Sequence, residues 1–431
     1  MTSSSIDKEI TKFVNTINQL DKKQSSKKTK IQYAGMVFDN EEIQTAIKSL
    51  LSSFSNNWFA LGKNALLFQN KLASYLQVDQ SVFVNSGSSA NLISIATLDA
   101  KKIIKRGDEV ITMSTTFPTT INPLLLYGLK PVLIDTELAS FTANLEHLEK
   151  AITDKTKLIM IPHINGSPND MKRIMEIAQK NDLAVVEDAC DALGSKFDGK
   201  LAGTFGDMGT FSFYAAHHMS TGEGGAVVGN SEFLSTAESL RDWGRVNIDS
   251  NSFGNRTFSS QKISKKLPED YEERYSYSNI GYNLKPLDMQ AAIGLIQLKK
   301  LKKFTQKRKQ NFKFLFENLQ NFSDDLILPQ SLPDADPSWF VFPITVKQTS
   351  KHKRSNLIKF LEKQGIETRP ILAGNISSHP AYDKIKFRKF GKLNNSELIL
   401  NNSFFVGVYP GLDDTSLEYI VNCFKNFFKN N

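Results

Sequence analysis

The sequence predicts an α/β fold: a mostly parallel central sheet covered by helices, followed by a smaller C-terminal α+β unit. Three observations predict it. From about residue 80, short apolar runs alternate with stretches of helical period, the pattern of parallel strands joined by crossover helices. One long amphipathic stretch, roughly 286–321, then leaves this unit. Pro329, Pro333 and Pro337 punctuate the next segment, and a strand and two helices come after them.

The elements run in order along the chain. Residues 1–36 read as a polar extension carrying one amphipathic helix, with Ile6, Ile10, Phe13, Val14, Ile17 and Leu20 on its apolar side. A second helix starts after Asp39-Asn40, whose side chains suit the unpaired N–H groups of a first turn. Strands are expected at 81–85, 109–113, 131–135, 157–162, 183–187, 209–213 and 226–228, with helices between most of them. The large unit so defined covers 37–328 and includes the long helix. The small unit, 329–431, has a strand at 340–346, a helix at 354–364 and a closing helix at 416–428.

Composition narrows the function. With 431 residues, 40% hydrophobic and 23% charged, the chain has ample material for a core and is neither disordered nor fibrous. No apolar stretch approaches the roughly 18–20 residues of a membrane helix, and the N-terminus lacks the apolar segment of a secretory signal. A cytoplasmic enzyme is the default expectation. The two cysteines, Cys190 and Cys423, exclude a disulfide framework and a four-cysteine metal or iron–sulfur site. A net charge of +8 invites a nucleic-acid reading. Its densest run, from Lys299 to Lys303 and on through Lys307, Arg308 and Lys309, falls on the long helix, where it reads as a cationic, solvated outer face. No nucleic-acid-binding motif accompanies it. A mildly basic surface would also suit a substrate carrying a diphosphate.

Three polar clusters sit where ligands bind in open α/β sheets, beyond the carboxyl ends of strands. Asn85-Ser86-Gly87-Ser88-Ser89-Ala90-Asn91 follows the first strand and opens a helix. Glycine, hydroxyls and first-turn N–H groups make a phosphate cradle, and equally an ordinary strand-to-helix turn. Glu187-Asp188-Ala189-Cys190-Asp191 places carboxylates at a strand end, for a cationic ring nitrogen, for a metal, or simply for a helix cap. Ser212 to Met219 contains His217 and His218, followed by Gly222, Glu223, Gly224 and Gly225. Adjacent histidines diverge and chelate one metal poorly, so no metal site is expected. A single imidazole acting as a base is the sharper reading, and a satisfied structural histidine the plainer one.

In this order and at these separations the clusters resemble the DegT/DnrJ/EryC1/StrS sugar aminotransferase superfamily of fold-type I pyridoxal-phosphate enzymes. The resemblance runs from about residue 38 onward. It includes TTFPTTINP around Phe117, PHINGSPNDM at 162–171, EDACDALGS, SFYAAHH and GYNLKPLDMQAAIG at 281–294. Ordinary members carry a coenzyme-tethering lysine five residues after the Ser212 position; here that residue is His217. The replacement resembles the nucleotide-sugar 3-dehydratases, the CDP-4-keto-6-deoxyglucose 3-dehydrase and GDP-4-keto-6-deoxymannose 3-dehydratase subgroup. HHMSTGEGGAV, RDWGR, DPSWFVFPIT and VGVYPGL look most like the CDP-sugar branch. An imidazole forms no stable imine, so the coenzyme would stay unattached and serve as pyridoxamine phosphate.

The resemblance implies a role for each matching residue. His217 would be the base. Asp188 would pair with the ring nitrogen and Phe117 would stack on the ring. Gly87, Ser88 and Ser212 would hold the phosphate, and Asn283 would reach it across a homodimer interface. Asp191 stands where many relatives place glutamine near the ring hydroxyl. His218, Arg245 and Arg369 are candidate substrate contacts, the arginines for a diphosphate. The pattern breaks at the segment after RDWGR, 246–263, which lacks the cysteines that CDP-sugar enzymes use for an iron–sulfur cluster. The expectation is therefore a cluster-free 3-dehydratase of a nucleotide-linked 4-keto-6-deoxyhexose, CDP- or GDP-linked. It would serve deoxysugar synthesis for a lipopolysaccharide O-antigen or similar polymer, with an amino acid such as glutamate as amine donor and no reductase. A nucleotide-sugar aminotransferase and a non-catalytic sugar or cofactor sensor are the alternatives.

Overall fold

The structure is a computed structural model that describes residues 3–24, 30–246, 266–268 and 271–430. The segment expected to lack cluster cysteines lies outside the described residues from position 247 on, as does most of the Ser/Lys-rich stretch after Gln24. The chain begins with α1 (Ser3–Gln24), α2 (Asn40–Ser55) and α3 (Lys63–Leu76). Then β1 (Gln80–Val84), α4 (Gly87–Ala100), β2 (Glu109–Met113), α5 (Pro118–Leu126), β3 (Lys130–Ile134) and α6 (Leu145–Lys150) alternate. β4 (Thr156–Pro162), α7 (Met171–Lys180) and β5 (Ala184–Asp188) continue the pattern. A hairpin of β6 (Lys196–Phe197) and β7 (Lys200–Leu201) precedes β8 (Met208–Ser212), β9 (Gly225–Gly229) and α8 (Ser231–Arg241). The long helix is α9 (Asp288–Leu319). Beyond it come β10 (Leu326–Ile327), β11 (Ala335–Asp336), β12 (Val341–Val346), α10 (Arg354–Lys363), β13 (Arg388–Lys389), α11 (Asn394–Asn402), β14 (Ser403–Gly407) and α12 (Asp414–Asn430).

Eight strands form the central sheet in the order β1-β9-β8-β5-β4-β2-β3-β13. All neighbours run parallel except β9, which is antiparallel to both β1 and β8. Each of the seven strands expected in the large unit lies within a residue or two of its span, because each is an apolar run buried on both faces, whereas the short β6, β7 and β10 were not expected. Parallel strands share one carboxyl edge, so Pro162, Asp188 and Ser212 end side by side, and α4 and α5 begin at that same edge. Phe68, Phe83 and Phe213 pack edge-on and tilted beneath it, with centroids 4.9–6.1 Å apart. α2 starts where the sequence marks it. The Asp39 carboxylate accepts from the Glu41 N–H at 2.9 Å, and the Glu42 carboxylate accepts from the Asp39 N–H at 3.0 Å.

The expected division at 328/329 meets a more interleaved structure. The small three-stranded sheet, β10-β12-β14, starts at Leu326, and its core gathers Phe342, Ile344, Phe404 and Phe424. β14 was not among the expected strands. The proline-punctuated stretch is not a loose linker: β11 pairs with β6, and the Asp198 N–H donates to the Asp334 carbonyl. β13 returns to the large sheet beside β3. On α1 only a narrow stripe is covered, with Ile10 and Val14 buried while Ile6, Phe13 and Ile17 are exposed. Among the described residues no helix is long and apolar enough to cross a membrane.

Gly225, opposite Ser212 in the β8–β9 ladder, holds the sheet close to the start of α4. A Cβ there would lie 2.4 Å from the Ser86 carbonyl oxygen and 2.5 Å from the Gly87 nitrogen, backbone atoms that cannot rotate away. Gly225→Ala is expected to destabilise the protein by about 1–3 kcal/mol, measured as a lowered midpoint in urea unfolding.

Candidate active site

The site is built at the end of β5, where successive side chains point to opposite faces. Glu187 points into structure. Its carboxylate accepts from the N–H groups of Gly203, Phe205 and Gly206 at 2.6–2.8 Å and from His163 Nε2 at 2.9 Å. His163 Nδ1 accepts from the Asn169 N–H, which leaves Nε2–H as the donor to Glu187. Asp188 lines a cavity of about 530 Å³, within the usual range for a cofactor or small-molecule site. Its Oδ2 accepts from Asn91 Nδ2 at 2.8 Å and Thr120 Oγ1 at 2.6 Å, and Thr210 fixes Asn91 in turn at 2.6 Å. Oδ1 has one long contact, 3.3 Å from the Cys190 N–H.

Around Asp188 the cavity is lined by Gly87, Ser88, Phe117 and Ser212. Ser86 caps α4 by accepting from the Ser89 N–H at 3.1 Å. First-turn N–H groups have no acceptor within their own helix, and here they stand at the cavity edge. Gly87 is required by space, since a Cβ would come within 2.5 Å of Ser212 Cβ. Phe117 sits at the start of α5, ahead of Pro118, with its side of the cavity open and 52% of the residue exposed. Packing therefore does not account for this ring.

His217 lies on the β8–β9 connection, its Nδ1 3.5 Å from Asp191 Oδ1 and its ring centroid 5.2 Å from that of Phe340. Burial pushes the imidazole down to about 3, and the Arg308 guanidinium adds to the effect, so the ring is neutral near pH 7. Burial and then the Asp188 carboxylate push Asp191 up to about 7, against the Asn165 N–H and Arg308. Arg308 corrects the sequence reading of an outer cationic face. It is buried, and its guanidinium donates to the carbonyls of Phe340 at 2.8 Å and His217 at 3.1 Å. Desolvation draws it down to about 9, with Asp191 acting the other way. Its neighbours Lys300, Lys307 and Lys309 do pair with carboxylates nearer the surface.

The other candidates divide. Arg369 lines the cavity. His218 does not: it is buried behind the loop, with Nε2 2.6 Å from the Ser338 carbonyl oxygen. Arg245 pairs with Asp242 at 3.2 Å and lies over Trp243, outside the cavity lining. Asn283 is exposed on the strand-like bridge to Asp242, also outside it. Cys190 lines the cavity with its thiol pushed well up by burial, whereas Cys423 packs in the small core. Thr120, Thr210 and Phe340 were not singled out from the sequence, and Asn91 was named only as the end of the first polar cluster, without a role, although polar Asn91 and Thr120 in apolar helix stretches were a signal. Among the described residues no three His, Cys, Asp or Glu side chains are placed to hold a metal.

The donor set fits pyridoxal or pyridoxamine phosphate. A fixed carboxylate with a lightly used oxygen suits a cationic ring nitrogen, an uncovered aromatic ring suits a planar ring, and a glycine-opened helix start with two serines suits a phosphate. Comparison with known proteins agrees. Residues 39–425 match the DegT/DnrJ/EryC1/StrS aminotransferase family. The chain is 42% identical to the lipopolysaccharide biosynthesis protein RfbH of Salmonella typhimurium, over 92% of this chain and 91% of that one. It is 39% identical to a dTDP-4-dehydro-2,6-dideoxy-D-glucose 3-dehydratase of Saccharopolyspora spinosa, over 93% and 87%. It superposes, with a TM-score of 0.81 and 30% identity over 91% of this chain and 99% of the other, on a GDP-4-keto-6-deoxymannose-3-dehydratase with a trapped PLP–glutamate geminal diamine.

The raised Asp191 gives a sign that is testable in the apoprotein. Between the ordinary carboxylate range and about 7 the folded state holds a proton that the unfolded state has lost, so wild-type stability is eroded as pH rises through that window. Asp191→Asn has no such proton, and urea unfolding at pH 4 and pH 7.5 should show the variant gaining on wild type by on the order of 2 kcal/mol.

Proposed function

The chain belongs to the DegT/DnrJ/EryC1/StrS aminotransferase family, and we propose that it removes the C3 oxygen of a nucleotide-linked 4-keto-6-deoxyhexose. One observation carries this reading: the cavity holds an imidazole, His217, and none of the described residues lining it is a lysine. The 3-dehydratase names of the Saccharopolyspora relative and the superposed structure support it. They disagree on the nucleotide, so dTDP, GDP and CDP all stay within the proposal.

When bound, pyridoxamine phosphate would supply an amine for the C4 carbonyl and a ring that takes up the electrons released by deprotonation and passes them toward C3 as the C3–O bond breaks. The protein's own groups do the rest. Asp188, held by Asn91 and Thr120, keeps the ring nitrogen protonated. Phe117 covers a ring face, and Gly87, Ser88 and Ser212 take the phosphate, with Asn283 of a second copy completing it in a homodimer. His217, neutral at working pH, accepts a proton and returns it to the departing hydroxyl. Asp191, near Nδ1, stabilises the imidazolium so formed. Arg369 meets the diphosphate.

The electron balance needs no reductase. If glutamate is the amine donor, it becomes 2-oxoglutarate, ammonia leaves, and the sugar gives up one oxygen. That agrees with a chain of two cysteines, one in the cavity and one in the small core. The name of the RfbH relative supports a role in lipopolysaccharide synthesis, and the cytoplasm is the setting this reading gives it. Product mass separates the reading from an aminotransferase, since the dehydratase product lacks one oxygen and gains no nitrogen.

His217→Asn should lower kcat by about 10²–10⁴ while the coenzyme's near-visible absorption remains, and borohydride should fix no chromophore to the wild-type chain. Undiminished turnover by the variant would remove the base from the mechanism.

A further inference from the structure

The family match begins at residue 39, yet the segment before it reaches the cavity. Residues 31–33 lie along the start of the strand-like run that carries Arg369. The Ile31 N–H donates to the Gly365 carbonyl at 2.8 Å, and the Glu367 N–H donates to the Ile31 carbonyl at 2.9 Å. Two residues further on, the Tyr33 N–H donates to Glu367 Oε2 at 3.2 Å. The fit is close enough that a Cβ on Gly407 would lie 2.4 Å from the Tyr33 carbonyl oxygen. This part of the N-terminal extension is thus built into the small unit.

The clamp presents one side chain to the cavity. The Tyr33 ring rests on Phe405, with centroids 5.4 Å apart, and the Arg369 guanidinium lies 5.0 Å from its centroid. Tyr33, Arg369 and Phe405 line the same cavity as Asp188 and His217. Arg369 has two N–H groups engaged, by the Thr368 carbonyl and the Glu367 carboxylate, out of the five that a guanidinium carries. Burial pushes the Tyr33 phenol up, with Arg369 opposing, so the hydroxyl is a protonated donor at neutral pH. A neutral phenol whose ring carries a guanidinium brings an O–H and a cation into one cavity as donors for anionic oxygens, and Phe405 packs against that ring.

We propose that Tyr33 is a substrate-binding residue, its hydroxyl acting with Arg369 to hold phosphate oxygens of the nucleotide sugar. The inference rests on the proposed reaction and adds to it the extension outside the family match. Glu367 shapes the site by turning Arg369 and anchoring the Tyr33 backbone.

The test uses the full-length, coenzyme-loaded protein with CDP, GDP and dTDP as probes in calorimetry, alongside steady-state kinetics on the matching 4-keto-6-deoxy sugar nucleotide. Tyr33→Phe keeps the ring and its packing and should raise both the Kd for the preferred diphosphate and KM about tenfold. Its kcat should stay within about twofold, and coenzyme affinity, read from absorption, should not change. Tyr33→Leu should weaken binding further. If Tyr33→Phe leaves Kd and KM unchanged, Tyr33 is a packing residue and the inference fails. A fall in kcat alone, or a loss of coenzyme, would overturn it in favour of a role in the chemistry or in coenzyme binding. A wild-type protein that binds none of the three diphosphates and converts none of the sugars would instead bring down the proposed function, and this inference with it.

Discussion

Two carboxylates, Asp188 and Asp191, and the His217 imidazole line the cavity at the carboxyl edge of the sheet, with the Arg308 guanidinium buried behind His217, and their mutual electrostatics shape the site. Burying any charge without partners is costly, so each group survives by a different route. Asp188 is supplied with donors from Asn91 and Thr120. Asp191 has no such set and lies beside Asp188, and it yields by taking its titration up to about 7. Arg308 keeps its charge by donating to two backbone carbonyls rather than to a carboxylate. His217, desolvated and near that cation, stays neutral. Neighbouring groups are thus driven to different charge states at one edge of the sheet.

The helix α9 holds this arrangement together. Near its start, the Asp288 carboxylate accepts from Asn64 and from the Ala65 N–H, tying down the first turn of α3. Two turns on, Gln297 accepts from the Ser220 N–H and donates to Glu42 and to the Val37 carbonyl. Further along, Arg308 takes the His217 carbonyl, and beyond it Phe312 stacks on Trp339 at 4.5 Å with nearly parallel rings. One rigid element thus grips the loop carrying His217 at two points and bears the small unit at its far end. The loop carrying the imidazole is positioned by these backbone bonds, while the ring itself meets Phe340 and, at Nδ1, Asp191.

Local signals account for what was legible in the sequence. Doubly buried strands announce themselves as short apolar runs, so their spans came within a residue or two, and the Asp39 cap was readable because capping is a contact between near neighbours. Asp188, Ser212 and His217 were legible because each lies at or just beyond the end of such a strand. Long-range pairing was not. β13 joins β3 across more than two hundred residues, and β11 stitches a proline-rich stretch to β6. Arg308 was misread for the same reason: helical period places it among lysines, and only the return of Phe340 and the His217 loop covers it. Tyr33 was hidden in a polar extension whose partner, the run at 365–369, comes more than three hundred residues later. His218 and Arg245 stand near active residues in sequence yet outside the cavity lining, since adjacent side chains diverge where the backbone is extended or turning.

The same electrostatics explains why histidine is a workable substitute for lysine here. A tethering lysine must be neutral to attack a carbonyl, and the means of lowering an amine are burial and a neighbouring cation. Position 217 has both, in the cavity wall and in Arg308. An imidazole placed in that field is likewise held neutral, but its nitrogens form no stable imine, so in the proposed mechanism it serves as a proton acceptor in place of a covalent anchor. Under that proposal more of the coenzyme's retention would fall on the carboxylate, the aromatic ring and the helix start. In this structure Asp188 is fixed by two donors before anything binds, Gly87 leaves no room for a side chain against Ser212, and Phe117 stands uncovered. A pocket preorganised in this way loses little ordering entropy on binding, and in the proposed mechanism that saving would replace part of what a covalent bond provides.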